Sequence, residues 1–158
     1  ESPWQLFKAK LTVMAIFAFV VSLIQTIFLK FIIQGMQVSV TPVSLSLFLS
    51  TTFLVCLFLS CLHLCLAFIY PKPSVTVVTG LIGSFLSFVG IGALPFPIRI
   101  FIPWQYFSMM GIAKRVAGTN TYLFQYDNAY PFKLVTLLLI IFLSIFVSKK
   151  LIGKADLL

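Results

Sequence analysis

Apolar runs longer than the roughly 18 residues that mark a spanning helix dominate this chain and constrain its fold more than any other feature. A lipid interior offers no water to satisfy backbone N–H and C=O groups, so each run must close its hydrogen bonds within the segment. Helices do that and open sheets do not. Of the 158 residues, 61% are hydrophobic and 9% charged, and the mean hydropathy is +1.14, far from the balance of a water-soluble domain. The formal charge of +8 would suggest nucleic acid in a soluble protein. Here Lys and Arg stand singly or in pairs at the ends of apolar runs, which fits the positive-inside rule and snorkelling to lipid headgroups instead. The expected partner is membrane lipid, with no nucleic acid.

The pattern predicts an all-α membrane protein: four transmembrane helices plus a re-entrant or interfacial helical loop between the third and fourth, in a single domain. The first span covers 11–33, after Lys8 and Lys10, and is interrupted by Gln25 and Lys30. A signal peptide is a poor description of it, because the run exceeds a signal h-region and no small-residue cleavage site with a soluble domain follows. Gly35 and Pro42 break the chain before a second span at 44–70, and Pro71-Lys72-Pro73 forms a basic turn. The third span, 74–94, carries Gly80, Gly83, Ser84, Ser87 and Gly90 at helical spacing, a stripe of small residues on which another helix can pack closely.

The segment 95–131 mixes prolines, aromatics and the charges Arg99, Lys114, Arg115 and Asp127, and belongs at the membrane surface. Pro103 suits the first position of a short interfacial or re-entrant helix running from Trp104 to Lys114. The last span, 132–147, is closed by Lys149, Lys150 and Lys154. The pair Lys149/Lys150 and the Lys72 turn, both beside spans, orient the chain with both ends cytoplasmic in the cell membrane and the aromatic loop outside.

Cys61-Leu62-His63-Leu64-Cys65, with Cys56 before it, has the residue types of a zinc or copper site. At 100° per residue, however, Cys61 and Cys65 share a face while His63 points away and pairs better with Cys56. The simpler reading is three small apolar thiols and a histidine facing a neighbouring helix, with no metal. His63 stays a substrate-path candidate because polar groups at that depth face protein or a water-filled cavity. Gln25 either bonds another helix or lines a path. Trp104 and Tyr106 belong to an interfacial aromatic belt or recognise an amphipathic ligand. Asp127 pairs with a cation of the same loop or sits in a solvated turn.

No G-x-x-x-x-G-K-[ST], G-x-S-x-G or H-E-x-x-H occurs, and one His with three acidic residues leaves little material for acid and base catalysis. An enzyme is not expected. A proton-coupled pump is disfavoured by the lack of paired intramembrane carboxylates.

The layout and two short motifs resemble the later part of an ABC-2-type transporter permease, in particular the small permeases that protect Gram-positive bacteria against lantibiotics. Pro103-Trp104-Gln105-Tyr106 looks like the Pro-Trp element often seen between that family's last two spans, a stretch that forms short, partly re-entrant outer helices. Trp4-Gln5-Leu6-Phe7-Lys8-Ala9-Lys10-Leu11 is similar to the basic segment leading into the family's third span, beside the nucleotide-binding subunit. The resemblance implies the last four of six spans, hence a fragment of a longer permease. It also implies Trp4, Lys8 and Lys10 as ATPase-coupling candidates, and a cytoplasmic ATP-binding subunit and a second permease subunit as partners. ATP and Mg would be held in those partner subunits, with no cofactor in this chain. The cargo would be a peptide antibiotic or other amphipath. Two alternatives come from other classes: a non-transporting membrane scaffold or regulatory subunit, and a membrane-embedded lipid-modifying enzyme using His63 or Asp127.

Overall fold

The computed structural model describes residues 2–35, 40–70, 72–93, 95–99, 102–109, 113–115, 122–124 and 130–155. Four long helices carry the chain: α1 (Pro3–Gly35), α2 (Pro42–Ile69), α3 (Pro73–Ala93) and, last in order, α6 (Tyr130–Ala155). Between α3 and α6 lie the one-turn helix α4 (Phe96–Arg99), a 3-10 turn at Pro103–Gln105, α5 (Tyr106–Met109) and the strands β1 (Ala113–Arg115) and β2 (Tyr122–Phe124). Three of the long helices, α1, α2 and α6, are long and apolar enough to cross a membrane. The protein is thus a helical membrane protein in its gross architecture.

Proline and Thr/Ser chemistry sets the helix boundaries. Thr41 caps α2, its hydroxyl accepting from the Ser44 amide at 3.2 Å, and Pro42 occupies the first turn, where its missing N–H costs nothing. Tyr70 ends α2 in an extended conformation, and Pro73 opens α3 directly after the turn. Inside the helices the hydroxyls donate back to carbonyls one turn earlier, as Ser22 does to Ala18 at 2.7 Å and Thr51 to Leu47 at 2.7 Å. That removes each polar group from the hydrocarbon without a partner helix.

The centre of the bundle is α2, which packs against both α1 and α6 and also meets α3. Near its middle Val55 and Phe58 join Leu137 and Ile141 of α6, together with Tyr106 and Tyr130. Toward its end Cys61, Leu64 and Cys65 enclose Phe7 of α1 and Ile152 of α6. The second cluster joins the start of α1, the end of α2 and the end of α6. It therefore gathers Lys8, Lys10, Lys72, Lys149 and Lys150 at one end of the bundle, called the basic end below, with Lys30, Arg99 and Lys133 toward the other. Small polar contacts tie the helices at depth: Ser22 of α1 to the Cys56 thiol, and Ser148 of α6 to the Cys61 thiol.

The faces turned away from α2 are apolar. Phe28 and Phe31 of α1, Phe85 and Phe88 of α3 and Leu139 and Phe142 of α6 are all at least 64% exposed, a coat that only lipid or another membrane chain can cover. From Lys10 to Lys30 the helix rises about 30 Å, the thickness of a bilayer's hydrocarbon core.

The helices run beyond several expected boundaries. The first begins at Pro3 rather than at residue 11, and the last continues to Ala155 rather than stopping at 147, because a helix needs no apolar side chains to persist past the bilayer. The loop differs more. Helix from Trp104 to Lys114 is replaced by helical turns that end at Met109, and Lys114 lies in β1, paired with Leu123 of β2 in an antiparallel register. At Lys114 the backbone groups are paired across strands instead of within a helix.

Candidate functional site

The chain leaving α3 does not simply cross to α6; it folds back along α3. Gly83 is the central residue of α3, ten positions from Pro73 and ten from Ala93, and it is where Trp104 packs. A Cβ on Gly83 would overlap the Trp104 indole, so only glycine admits the ring. Ten residues of helix correspond to about 15 Å, half of a hydrocarbon core.

Gln105 fixes this arrangement. Its side chain is fully buried, donating to the carbonyls of Leu86 (2.8 Å) and Ser87 (3.2 Å) and accepting from Nε of Arg99 (3.2 Å). Arg99 also donates to the Ser108 hydroxyl at 2.8 Å, and Ser108 donates to the Gln105 carbonyl at 2.9 Å. From the other side Ser87 donates to the Trp104 carbonyl at 2.8 Å. Among the described residues no buried side-chain nitrogen or oxygen lacks a partner. A network fully satisfied in an apolar setting is rigid, since each broken bond strands a buried polar group.

His63 completes the notch. Six positions before the end of α2, it faces Gly80, seven positions into α3, where an added Cβ would lie 3.2 Å from Cε1 of the ring. Its imidazole meets Trp104 edge to face, with centroids 5.7 Å apart and planes at 90°. Tyr106 is buried with its ring edge-on to Phe58, at 5.8 Å and 81°. The geometry thus brings His63 and Trp104 together with Gly80, Gly83 and Ser87, while Tyr106 packs on Phe58 in the cluster shared with α6.

Other candidates lie apart. Gln25 is on the exposed side of α1, where no described side chain of this protein bonds it. Ser84 is exposed on α3. Gly90 belongs to α3, but its surroundings lie outside the described residues, and so does Asp127 altogether. Trp4 stacks on Phe7 at 5.2 Å, Lys8 is exposed, and the Lys10 ammonium stands 5.4 Å from the centroid of the Phe68 ring. Cys61 and Cys65 are buried toward α1 and α6 while Cys56 is half-buried toward α1, so the thiols and His63 point to different neighbours. Among the described residues no three of His, Cys, Asp and Glu converge as metal ligands would.

The sequence reading assigned no role to Gln105, Ser108, Ser22 or Ser148. An amide inside the aromatic run Pro103-Trp104-Gln105-Tyr106 was the one available signal, because a segment that only coats the surface has no need to place an amide between two aromatics.

No family model matches the chain, and comparison with curated proteins and with solved structures finds no match. The class that stands is a helical protein with three helices suited to crossing a membrane, built around a loop that packs back on its third long helix.

Proposed function

We propose that this chain is a permease subunit, or part of one, of an ATP-driven ABC-2-type exporter, acting with a second permease subunit and a cytoplasmic ATP-binding subunit. In this reading α3 is a fourth span, its 21 residues rising about 31 Å, and the helical turns at Phe96–Arg99, Pro103–Gln105 and Tyr106–Met109 belong to a re-entrant element from the outer face. The observation that carries the reading is the return of the loop to Gly83 at the middle of α3, in the place where the permeases this chain resembles have partly re-entrant outer helices. Lys8, Lys10, Lys72, Lys149 and Lys150 at the basic end support cytoplasmic termini. A subunit that borrows its energy needs no catalytic residues, only packing with more than one arrangement. The glycine notch holding Trp104, with His63 beside it and Tyr106 packed on Phe58 nearby in the same loop, is such a packing joint, so these residues act in the substrate path by moving rather than by chemistry.

Trp4, Lys8 and Lys10, at the start of α1, are the residues that meet the ATPase in this reading, Lys10 from beside the Phe68 ring. The cargo is an amphipath; the chain's +8 charge would repel a cationic peptide from its outer cations and favours entry through lipid. Co-expression with a candidate ATP-binding subunit tests this. ATPase stimulation by the chain, reduced by Lys8→Glu with the complex intact, is the expected result; a stable complex whose ATPase ignores both the chain and the substitution would overturn it.

One observation favours a scaffold as second reading. The face of α3 away from α2, with Leu81, Phe85 and Phe88 exposed, offers a surface for a partner helix whether or not anything is transported. Retention of a partner after loss of that face would count against it.

A further inference from the structure

Beside Lys10 a groove of about 430 Å³ opens between Val13 and Met14 of α1 and Leu64 of α2. Met14 also lines a second groove, of about 450 Å³, which continues past Ala18 and Val21 of α1 and Cys56 and Ser60 of α2 to Phe107. Met14 lines both, so the two grooves follow one another along α1 and together reach from Lys10 to Val21 as a furrow that Met14 divides. Eleven residues of helix make this about 16 Å, which is the depth of one leaflet. Its ends differ in chemistry. At the basic end stands the Lys10 ammonium, with Lys8 close by in the same helix; at the other end the Phe107 ring, in the loop that Gln105 anchors, lines the groove.

We infer that this furrow binds one anionic phospholipid, with its phosphate at Lys10 and one acyl chain lying between α1 and α2 as far as Phe107. The length matches a single leaflet, the walls are mostly apolar, and the cation among the lining residues, Lys10, is at the end where a phosphate would be. A zwitterionic lipid would fill the same walls but gain less at the ammonium. An amphipathic peptide with positive charge would meet Lys8 and Lys10 as like charges. The small side chains Ala18, Cys56 and Ser60 leave the space that the chain occupies. The inference needs no ATPase partner, so loss of lipid binding and loss of ATPase coupling are separate outcomes.

The test uses the full chain in nanodiscs with photoactivatable phosphatidylglycerol or phosphatidylcholine of the same acyl length, each carrying a diazirine at the chain terminus, and maps adducts by mass spectrometry. Adducts concentrated at Val21, Cys56 and Phe107, with phosphatidylglycerol labelling several-fold above phosphatidylcholine, are expected. Lys10→Gln should bring that ratio near one, Lys30→Gln should leave it unchanged, and Ser60→Trp should remove the adducts for both lipids. The wild-type map decides the matter even where the tryptophan variant does not fold. Adducts spread evenly over the exposed faces of α1 and α6, or equal labelling by the two lipids, overturn the assignment. Displacement of the label by a cationic amphipathic peptide, without a headgroup preference, gives the furrow to peptide instead and overturns it as well.

Discussion

Gly83 and Gly80 occupy the same helix face, yet their surroundings predict different sensitivities. An alanine Cβ at position 83 collides with the Trp104 ring, whereas at position 80 it meets only the edge of His63 at 3.2 Å, which a small ring shift relieves. Gly83→Ala should therefore lower stability by about 1–3 kcal/mol, the usual cost of overpacking, and Gly80→Ala by clearly less. Gly153, inside α6, has nothing within 4 Å of an added Cβ. There the higher helix propensity of alanine acts alone, and Gly153→Ala should stabilise the protein by about 0.5–1 kcal/mol. Equilibrium unfolding of the three variants in one detergent checks the order; a Gly83→Ala as stable as the parent would mean that Trp104 does not occupy the notch.

The loop between α3 and α6 is held by an amide rather than by apolar surface alone. Replacing Gln105 with Leu keeps bulk but removes both bonds to α3 and the acceptor for Arg99. A loss of about 1–3 kcal/mol is expected, since Arg99 is left short of a partner in a half-buried place. Trp104 reports the event directly: in a Trp4→Phe background its emission should shift to longer wavelength and quench more readily with a water-soluble quencher. Unchanged emission in Gln105→Leu would show that the Gly83 contact alone suffices. The sequence indicated a short helix from Trp104 to Lys114 opened by Pro103; a 3-10 turn starts at Pro103, but Lys114 lies in a strand. The strand at Lys114 depends on pairing with residues 122–124, which no local period reveals.

At the scale of the bundle, packing relates the ends of the helices. Phe7 and Ile152 share a cluster beside the end of α2, which places Lys72 and Lys149 at one end of the bundle and Lys30 toward the other. Cysteines placed singly at these positions and treated with a membrane-impermeant maleimide should divide accordingly. Lys30→Cys is expected to label in intact cells and Lys72→Cys and Lys149→Cys only after permeabilisation. The native thiols, all within α2, stay out of the reagent's reach. Labelling of Lys72→Cys and Lys149→Cys from opposite sides would contradict the antiparallel bundle itself, while reversal of all three would change only its orientation.

The sequence by itself determined that the chain is helical and suited to a bilayer, because long apolar runs admit no other way to satisfy the backbone in lipid. It also separated His63 from Cys61 and Cys65, since 100° per residue acts within one helix. Tertiary structure decided which neighbour each face meets: Cys61 and Cys65 against Phe7 and Ile152, and His63 against Gly80 and Trp104. It left Gln25 on an exposed side of α1, a placement that periodicity alone did not give. Above all it brought residues about twenty positions apart, Trp104 with Gly83 and Gln105 with Leu86, into one joint. That meeting depends on the path of the chain after Ala93 and on a missing side chain at Gly83, and neither leaves a periodic trace in the sequence.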